Sequence, residues 1–231
     1  MNKIKFIKLS ALLICLFGLN IYGQRKEITK VEFFESYRNA GEKTRKTTYR
    51  VVSKNEVFLD NQLQSVQNYT DEFIPPDKKR FVAEIKSSEP IKNKYLRTER
   101  ILIGNDEYKR ENGGEWVKRT LTTTKKPANN NTSKTVENNS KYYLTENVNL
   151  GNQPTNLYEL TVEYRHPTQT SPTNEGKEFV SYRKQKIWIS RDGLYLRMEM
   201  EDEFPEPRKS SSRRTWIYEY DPNIKIEAPI K

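Results

Sequence analysis

Residues Lys186–Met200, KIWISRDGLYLRMEM, hold two alternating runs on either side of Asp192-Gly193. Asp-Gly between alternating hydrophobic residues is a strong hairpin signal. Taking the pair as a two-residue loop sets a register. Arg191 faces Leu194, Ile189 faces Leu196 and Ile187 faces Met198. On the other side Trp188 faces Arg197 and Lys186 faces Glu199. One side of the ribbon is then apolar, with Ile187, Ile189, Leu194, Leu196, Met198 and Met200. The other side is charged and aromatic. The apolar side covers either a packed core or a cavity that holds a ligand, and alternation alone serves both.

The rest of the chain repeats this texture. Gln24 to Gly41 reads as a helix, with Val31, Phe34 and Tyr37 or Arg38 at helical spacing and Gly41 as its stop. Thr47, Tyr49 and Val51 share a strand face, and 57–73 holds one or two strands before Pro75-Pro76 breaks the ladder. Strands follow at 81–86 and 95–103. Gly104-Asn105-Asp106 and Asn112-Gly113-Gly114 then mark turns. Thr122–Ser140 has no apolar residue larger than its one Val and reads as a flexible polar loop. Further strands lie at 142–148, 158–164, 179–190, 194–203 and 214–220. This predicts a mainly β protein with an N-terminal helix and about ten or eleven antiparallel strands. Sheets with that many strands curl rather than stay flat. No repeat of fixed period is visible, so 24–231 is expected to be a single domain.

The first residues change the picture. Lys3, Lys5 and Lys8 precede the apolar run LSALLICLFGL, and small Gly23 follows it. This is the pattern of a signal peptide over residues 1–23. The run is short for a spanning helix, which needs about 20 residues. Cys15 is preceded by Ile14, where a lipidation site takes a small residue, so a membrane-anchored lipoprotein is not expected. Cleavage would remove three of the 41 basic residues and none of the 31 acidic ones, leaving a net charge of +7. It would also remove the only cysteine, so the mature chain would have no disulfide, thiol nucleophile or Cys-based metal site. The expected location is the periplasm or the exterior, with the protein soluble and monomeric. The 14 Tyr, 9 Phe and 3 Trp argue against disorder despite the 31% charged residues.

Catalytic chemistry finds little support. The only histidine, His166, precedes Pro167 in a polar stretch and reads as a solvated loop residue. No nucleophile elbow, phosphate loop or zinc helix occurs. Glu199, Glu201 and Glu203 share one strand face beside Asp202, yet Arg197 precedes them, so a solvated charged row is the reading. The chain is expected not to be an enzyme and to need no cofactor or metal. Lys and Arg are spread along the chain rather than gathered in a tract, and export separates the protein from nucleic acid. Basic residues suit anionic headgroups, or simply solvate an outer face.

Three stretches together resemble a known superfamily: RTERILIGNDEYKRENGGEWVKR (Arg97–Arg119), KIWISRDGLYLRMEM (Lys186–Met200) and WIYEYDPNIKIEAP (Trp216–Pro229). Their consecutive hairpins, the W-I-S-x-D-G-L pair and the closing I-x-A-P resemble the LolA/LolB-like periplasmic lipoprotein carriers. That resemblance implies a strongly curved antiparallel sheet, an unclosed barrel, with helices covering the concave side. It implies a carrier of lipid or lipoprotein acyl chains, with Ile187, Ile189, Leu194, Leu196, Met198 and Met200 lining an apolar groove. Two methionines suit an adaptable pocket. The polar stretch Thr122–Ser140 departs from the helical lid of such carriers. Two alternatives remain open. One is an envelope sensor or interaction module on the same fold, using Trp188, Tyr195 and Arg197. The other is a secreted hydrolase built on carboxylates.

Overall fold

The computed structural model describes residues 23–87, 96–121, 136–166, 179–205 and 209–230. The expected leader up to residue 22, and 122–135 of the expected polar loop, lie outside these. The strands are β1 (Arg25–Glu27), β2 (Tyr49–Leu59), β3 (Gln62–Ile74), β4 (Lys78–Ser87), β5 (Leu96–Ile103) and β6 (Asp106–Glu111). They continue with β7 (Val117–Thr120), β8 (Val136–Leu150), β9 (Gln153–His166), β10 (Phe179–Ser190), β11 (Tyr195–Phe204) and β12 (Ser210–Glu219). All twelve join one antiparallel sheet in the order β1-β8-β9-β10-β11-β12-β2-β3-β4-β5-β6-β7. The sheet is not closed: β1 and β7 are its two edges. One strand more than the upper expectation appears because Arg25–Glu27 pairs with β8 instead of opening the helix.

The single helix among the described residues, α1, spans Lys30–Arg45 rather than 24–41. Its start is chemical. Thr29 accepts a hydrogen bond from the Glu32 amide while the Glu32 carboxylate reaches back to the Thr29 amide, a capping box. Gly41 does not stop the helix. A Cβ there would sit 3.3 Å from the Tyr195 hydroxyl, so the residue lets the helix lie close to β11. Lys43 and Arg45 place positive charge in the last turn, where the helix dipole favours it.

The β10–β11 hairpin departs from the expected register. The Gly193 amide donates to the Ser190 carbonyl, and the Ser190 amide donates to the Leu194 carbonyl. The loop is therefore three residues, with Gly193 at φ +76 closing it in the left-handed region. Ile189 pairs with Tyr195, not Leu196, and a bulge between Trp188 and Ile189 restores the rest. Ile187–Met198, Trp188–Arg197 and Lys186–Glu199 then pair as the alternation predicts. Leu196 is the extra residue of the bulge. Tyr195 joins Ile187 and Ile189 in the core, and Leu196 does not.

Because antiparallel partners share a face, the registers separate the two sides of the sheet. One side carries the main core: Phe33 and Ala40 of α1 pack on Tyr142, Leu160, Val162, Ile187, Ile189, Tyr195 and Met198. Fully burying each large apolar side chain contributes about 1.5–3 kcal/mol, which favours this face inward. The other side is laced with ion pairs, and on it Ile224 and Ile226 of the C-terminal segment pack against Ile101 and Tyr108. There Arg50 lies 2.7 Å from Glu72, and Arg110 lies 2.8 Å from Glu99. Burial alone would raise Glu99, but Arg110, Arg97 and Arg80 hold it below the usual carboxylate range. Glu199 and Glu201 belong to this laddered face, paired with Arg197 and Arg213 at 2.6 and 2.9 Å. Asp202 points to the helix side. His166 ends β9 rather than sitting in a solvated loop: its ring stacks on Phe179 at 4.2 Å and Nε2 lies 2.7 Å from Ser181 Oγ. Val136, Glu137 and Asn138 pair with β9 and the register shifts before Lys141, so the tail of the expected polar loop is part of strand β8.

Candidate functional site

The helix covers only part of its face. At 3.6 residues per turn, Phe33, Ala40 and Thr44 point to the sheet, and two flanks remain. Glu32, Ser36 and Asn39 form one flank, over a hollow of about 260 Å³ that Leu144 and Tyr158 also border. Lys30, Phe34, Tyr37 and Gly41 form the other. That flank starts over β8, where Lys30 reaches Glu137 at 2.5 Å and the Phe34 ring lies 6.0 Å from Tyr142, and its Tyr37 ring lies 5.5 Å from Tyr195 of β11. On it Phe34 and Tyr37 are 44% and 37% exposed. Among the described residues no other helix or strand lies over this face from β12 to β5.

The floor in front of that flank follows from register. One row of partners runs Ile187, Met198, Trp216, Ser53, Tyr69, Ala83. The next row toward the helix C-terminus holds Tyr218, Val51, Asp71 and Phe81. Tyr69 and Phe81 stack at 5.8 Å. Met200 lies one step from Met198 along β11, between Gln185 and Arg214. The floor is thus aromatic and methionine-rich, and Met200, Trp216, Tyr218, Tyr69 and Phe81 are all half-buried.

Desolvation raises the Asp71 carboxyl on this face, with Lys79 partly opposing. Beside it, burial raises the phenols of Tyr195 and Tyr218, and pushes Tyr220 up to about 12. These tyrosines lock the C-terminal end of α1. Tyr195 Oη donates to the Tyr37 carbonyl, and Tyr220 Oη donates to the Tyr195 carbonyl at 2.6 Å. Thr44 Oγ1 accepts from the Tyr195 amide and, with the Tyr220 proton already committed, donates to Tyr220 Oη at 3.2 Å.

A polar strip lies on the same face. Arg183 Nε donates to Asp202 Oδ1 at 2.6 Å, and Arg214 Nη2 donates to Asp202 Oδ2 at 3.3 Å. Asp202 is 5% exposed. Burial works against the Arg183 charge, and Asp202 together with Tyr164 more than restores it. Arg214 pairs across the ladder with Asn55, whose Nδ2 donates to Gln67 Oε1. Arg214 Nε and Asn55 Oδ1 are buried without a hydrogen-bond partner.

The six residues expected to line a groove do not act as one group. Ile187, Ile189 and Met198 lie beneath α1 at 1%, 6% and 8% exposure. Leu194 closes the hairpin, and Leu196 sits in the bulge. Met200 alone lies on the uncovered floor. The residues that alternation missed are Phe34, Tyr37, Trp216, Tyr218, Tyr69 and Phe81. The period-2 pattern of 214–220 placed Trp216 and Tyr218 on one face, but not which neighbours that face would meet. Among the described residues no three His, Cys, Asp or Glu side chains converge as a metal site. No described helix is long and apolar enough to cross a membrane.

No protein-family model and no curated protein matches the sequence. Among solved structures, LprF from Mycobacterium bovis is similar at 10% identity and a TM-score of 0.40, over 87% of this chain and 99% of that one. A LolA superfamily protein from Nitrosomonas europaea is similar at 10% identity and a TM-score of 0.29, over 84% and 94%. A putative outer membrane lipoprotein-sorting protein domain from Vibrio parahaemolyticus follows at 7% identity and a TM-score of 0.31, over 85% and 95%. These include the kinds of protein that the sequence motifs resemble. At such scores they carry no function across.

Proposed function

We propose that this chain is an exported binding protein for lipid tails, holding an acyl chain on the helix-bearing face of its sheet. The observation that carries the reading is the apolar surface left uncovered on this face. Phe34 and Tyr37 on the helix flank are 44% and 37% exposed, and Met200, Trp216 and Tyr218 on the same side of the sheet are half-buried. Apolar surface left in water costs about 25 cal/mol per Å² relative to burial. An acyl chain recovers that, at about 0.8 kcal/mol per buried methylene. Ile187, Ile189 and Met198 extend the groove when α1 lifts, while Leu194 and Leu196 frame its hairpin end. On this reading residues 1–23 are a cleaved leader, the protein works as a soluble monomer in the envelope or outside the cell, and it performs no catalysis.

The test is binding of a naturally fluorescent fatty acid, cis-parinaric acid, with energy transfer from tryptophan as the readout. Wild type should bind saturably, and Met200→Asp should weaken binding while Arg197→Ala, on the opposite face, leaves it unchanged. Absence of saturable binding by folded wild type would overturn the reading. A second reading, an interaction module, has its own observation. Trp188, Arg197, Ile217 and Val52 form one row on the laddered face, with Ile217 and Val52 44% and 41% exposed. Arg197 lies 5.7 Å over the Trp188 ring, a cation–π contact.

A further inference from the structure

We propose that the strip Arg183–Asp202–Arg214 with Asn55 is a head-group site for an anionic amphiphile whose tail lies on the aromatic floor. The inference rests on the acyl-binding reading and goes further by naming the ligand class. Arg183 and Arg214 set two guanidiniums on the helix-bearing face with side chains 34% and 40% exposed, within reach of a ligand. Their charges are incompletely matched. Two arginines share one carboxylate, so the strip carries a net positive charge. Arg183 takes the short bond at 2.6 Å, and Arg214 keeps only an end contact at 3.3 Å. The Arg214 Nε donor is left without a partner, and so is the Asn55 Oδ1 acceptor on the adjoining strand. Buried polar atoms are nearly always satisfied, and a group that both accepts and donates would satisfy this orphaned donor and acceptor together.

Position supplies the rest. Arg214 pairs with Met200 across β11–β12, and Trp216 is the next residue on the same face of β12. Two residues along a strand advance about 7 Å. A head group on Arg214 therefore directs its tail along β12 over Trp216 toward Tyr218, beside Met200 of the adjoining strand. A carboxylate satisfies Arg214 Nε. A phosphate monoester in its monoanionic form, which keeps one hydroxyl, satisfies Arg214 Nε and Asn55 Oδ1 together.

The experiment compares three probes with one tail on the purified protein: cis-parinaric acid, its methyl ester, and a lysophosphatidic acid carrying the parinaroyl chain. Wild type should bind both anionic probes about tenfold or more tighter than the ester, as a charge-assisted hydrogen bond implies. Arg214→Gln should abolish that preference without changing ester affinity. Arg213→Gln, on the opposite face, should keep it. The tighter of the two anionic probes identifies a free fatty acid or a lysophospholipid as the class. Equal binding of acid and ester by wild type would overturn the head-group site yet leave the acyl-binding reading standing, and this arm needs no variant to fold. Arg214→Gln that folds and retains the full preference would also overturn it. Failure of all three probes to bind would remove both.

Discussion

Replacing Phe33 with Ala tests whether α1 is a cover that can leave the sheet. Phe33 is 1% exposed and its ring meets Tyr142 at 5.3 Å and Tyr158 at 6.3 Å. It is the only large apolar side chain that the helix buries fully; Ala40 and Thr44 are its other buried residues. Truncating a buried Phe costs about 3–5 kcal/mol. A helix of 16 residues is marginal on its own, so its order depends on this docking. The sheet, by contrast, keeps its ladders on both sides of the lesion. Hydrogen exchange followed by mass spectrometry should therefore show a local loss. Amides of 34–45 should exchange about two to four decades faster, since each 1.4 kcal/mol is tenfold. Amides of β9 and β10 should slow or speed by much less. An equal loss in helix and sheet would mean that the two form one cooperative unit, and the idea of a cover would fail. Unchanged helix protection would show that Phe33 does not anchor α1 at all.

Phe34→Ala, on the exposed flank, should lower probe affinity severalfold while shifting the melting temperature little, which a paired binding and thermal-melt measurement reads directly. Thr29→Ala removes the capping box and should cost about 1 kcal/mol in urea unfolding, with the loss concentrated in α1 by hydrogen exchange. Acid should loosen the start of the helix. Hydrogen bonds from Lys30, Ser140 and Tyr142 hold Glu137 at about 2, below its ordinary 4.5. Its contribution is therefore fully present above pH about 4.5 and is lost as the pH falls through about 2. Glu137→Gln should flatten that part of the stability profile, and an unchanged acid profile would show that the Lys30–Glu137 contact does not hold the helix. Gly193→Ala should destabilise by about 1 kcal/mol or more, because the residue sits at φ +76 and a Cβ would meet Lys43 Nζ at 3.0 Å.

Alternation read along the chain was enough for the class of fold. A period of two places partners on one face whatever their distance in sequence, so Ile187 and Met198, or Trp188 and Arg197, could be paired from spacing alone. Thr29-Lys30-Val31-Glu32 is a capping box, a contact between residues three apart, and so was a local signal for the helix start that the reading from Gln24 passed over. Local signals of this kind need no knowledge of the rest of the chain.

The hairpin loop and the site needed the third dimension. Asp192-Gly193 fits both a two-residue loop and a three-residue one. The longer loop seats Tyr195 beneath Gly41, 154 positions away in sequence, where its hydroxyl meets the Tyr37 carbonyl. That contact sends Tyr195 into the core and leaves Leu196 in a bulge. Likewise, a helix reading could mark Phe34 and Tyr37 as apolar, but not that Phe34 meets Tyr142 and Tyr37 meets Tyr195. Arg183, Asp202 and Arg214 look in sequence like members of solvated charged rows. Only the order of β10, β11 and β12 sets them side by side on the inner face, because strand order is chosen by the packing of the whole sheet and leaves no periodic trace in any one segment.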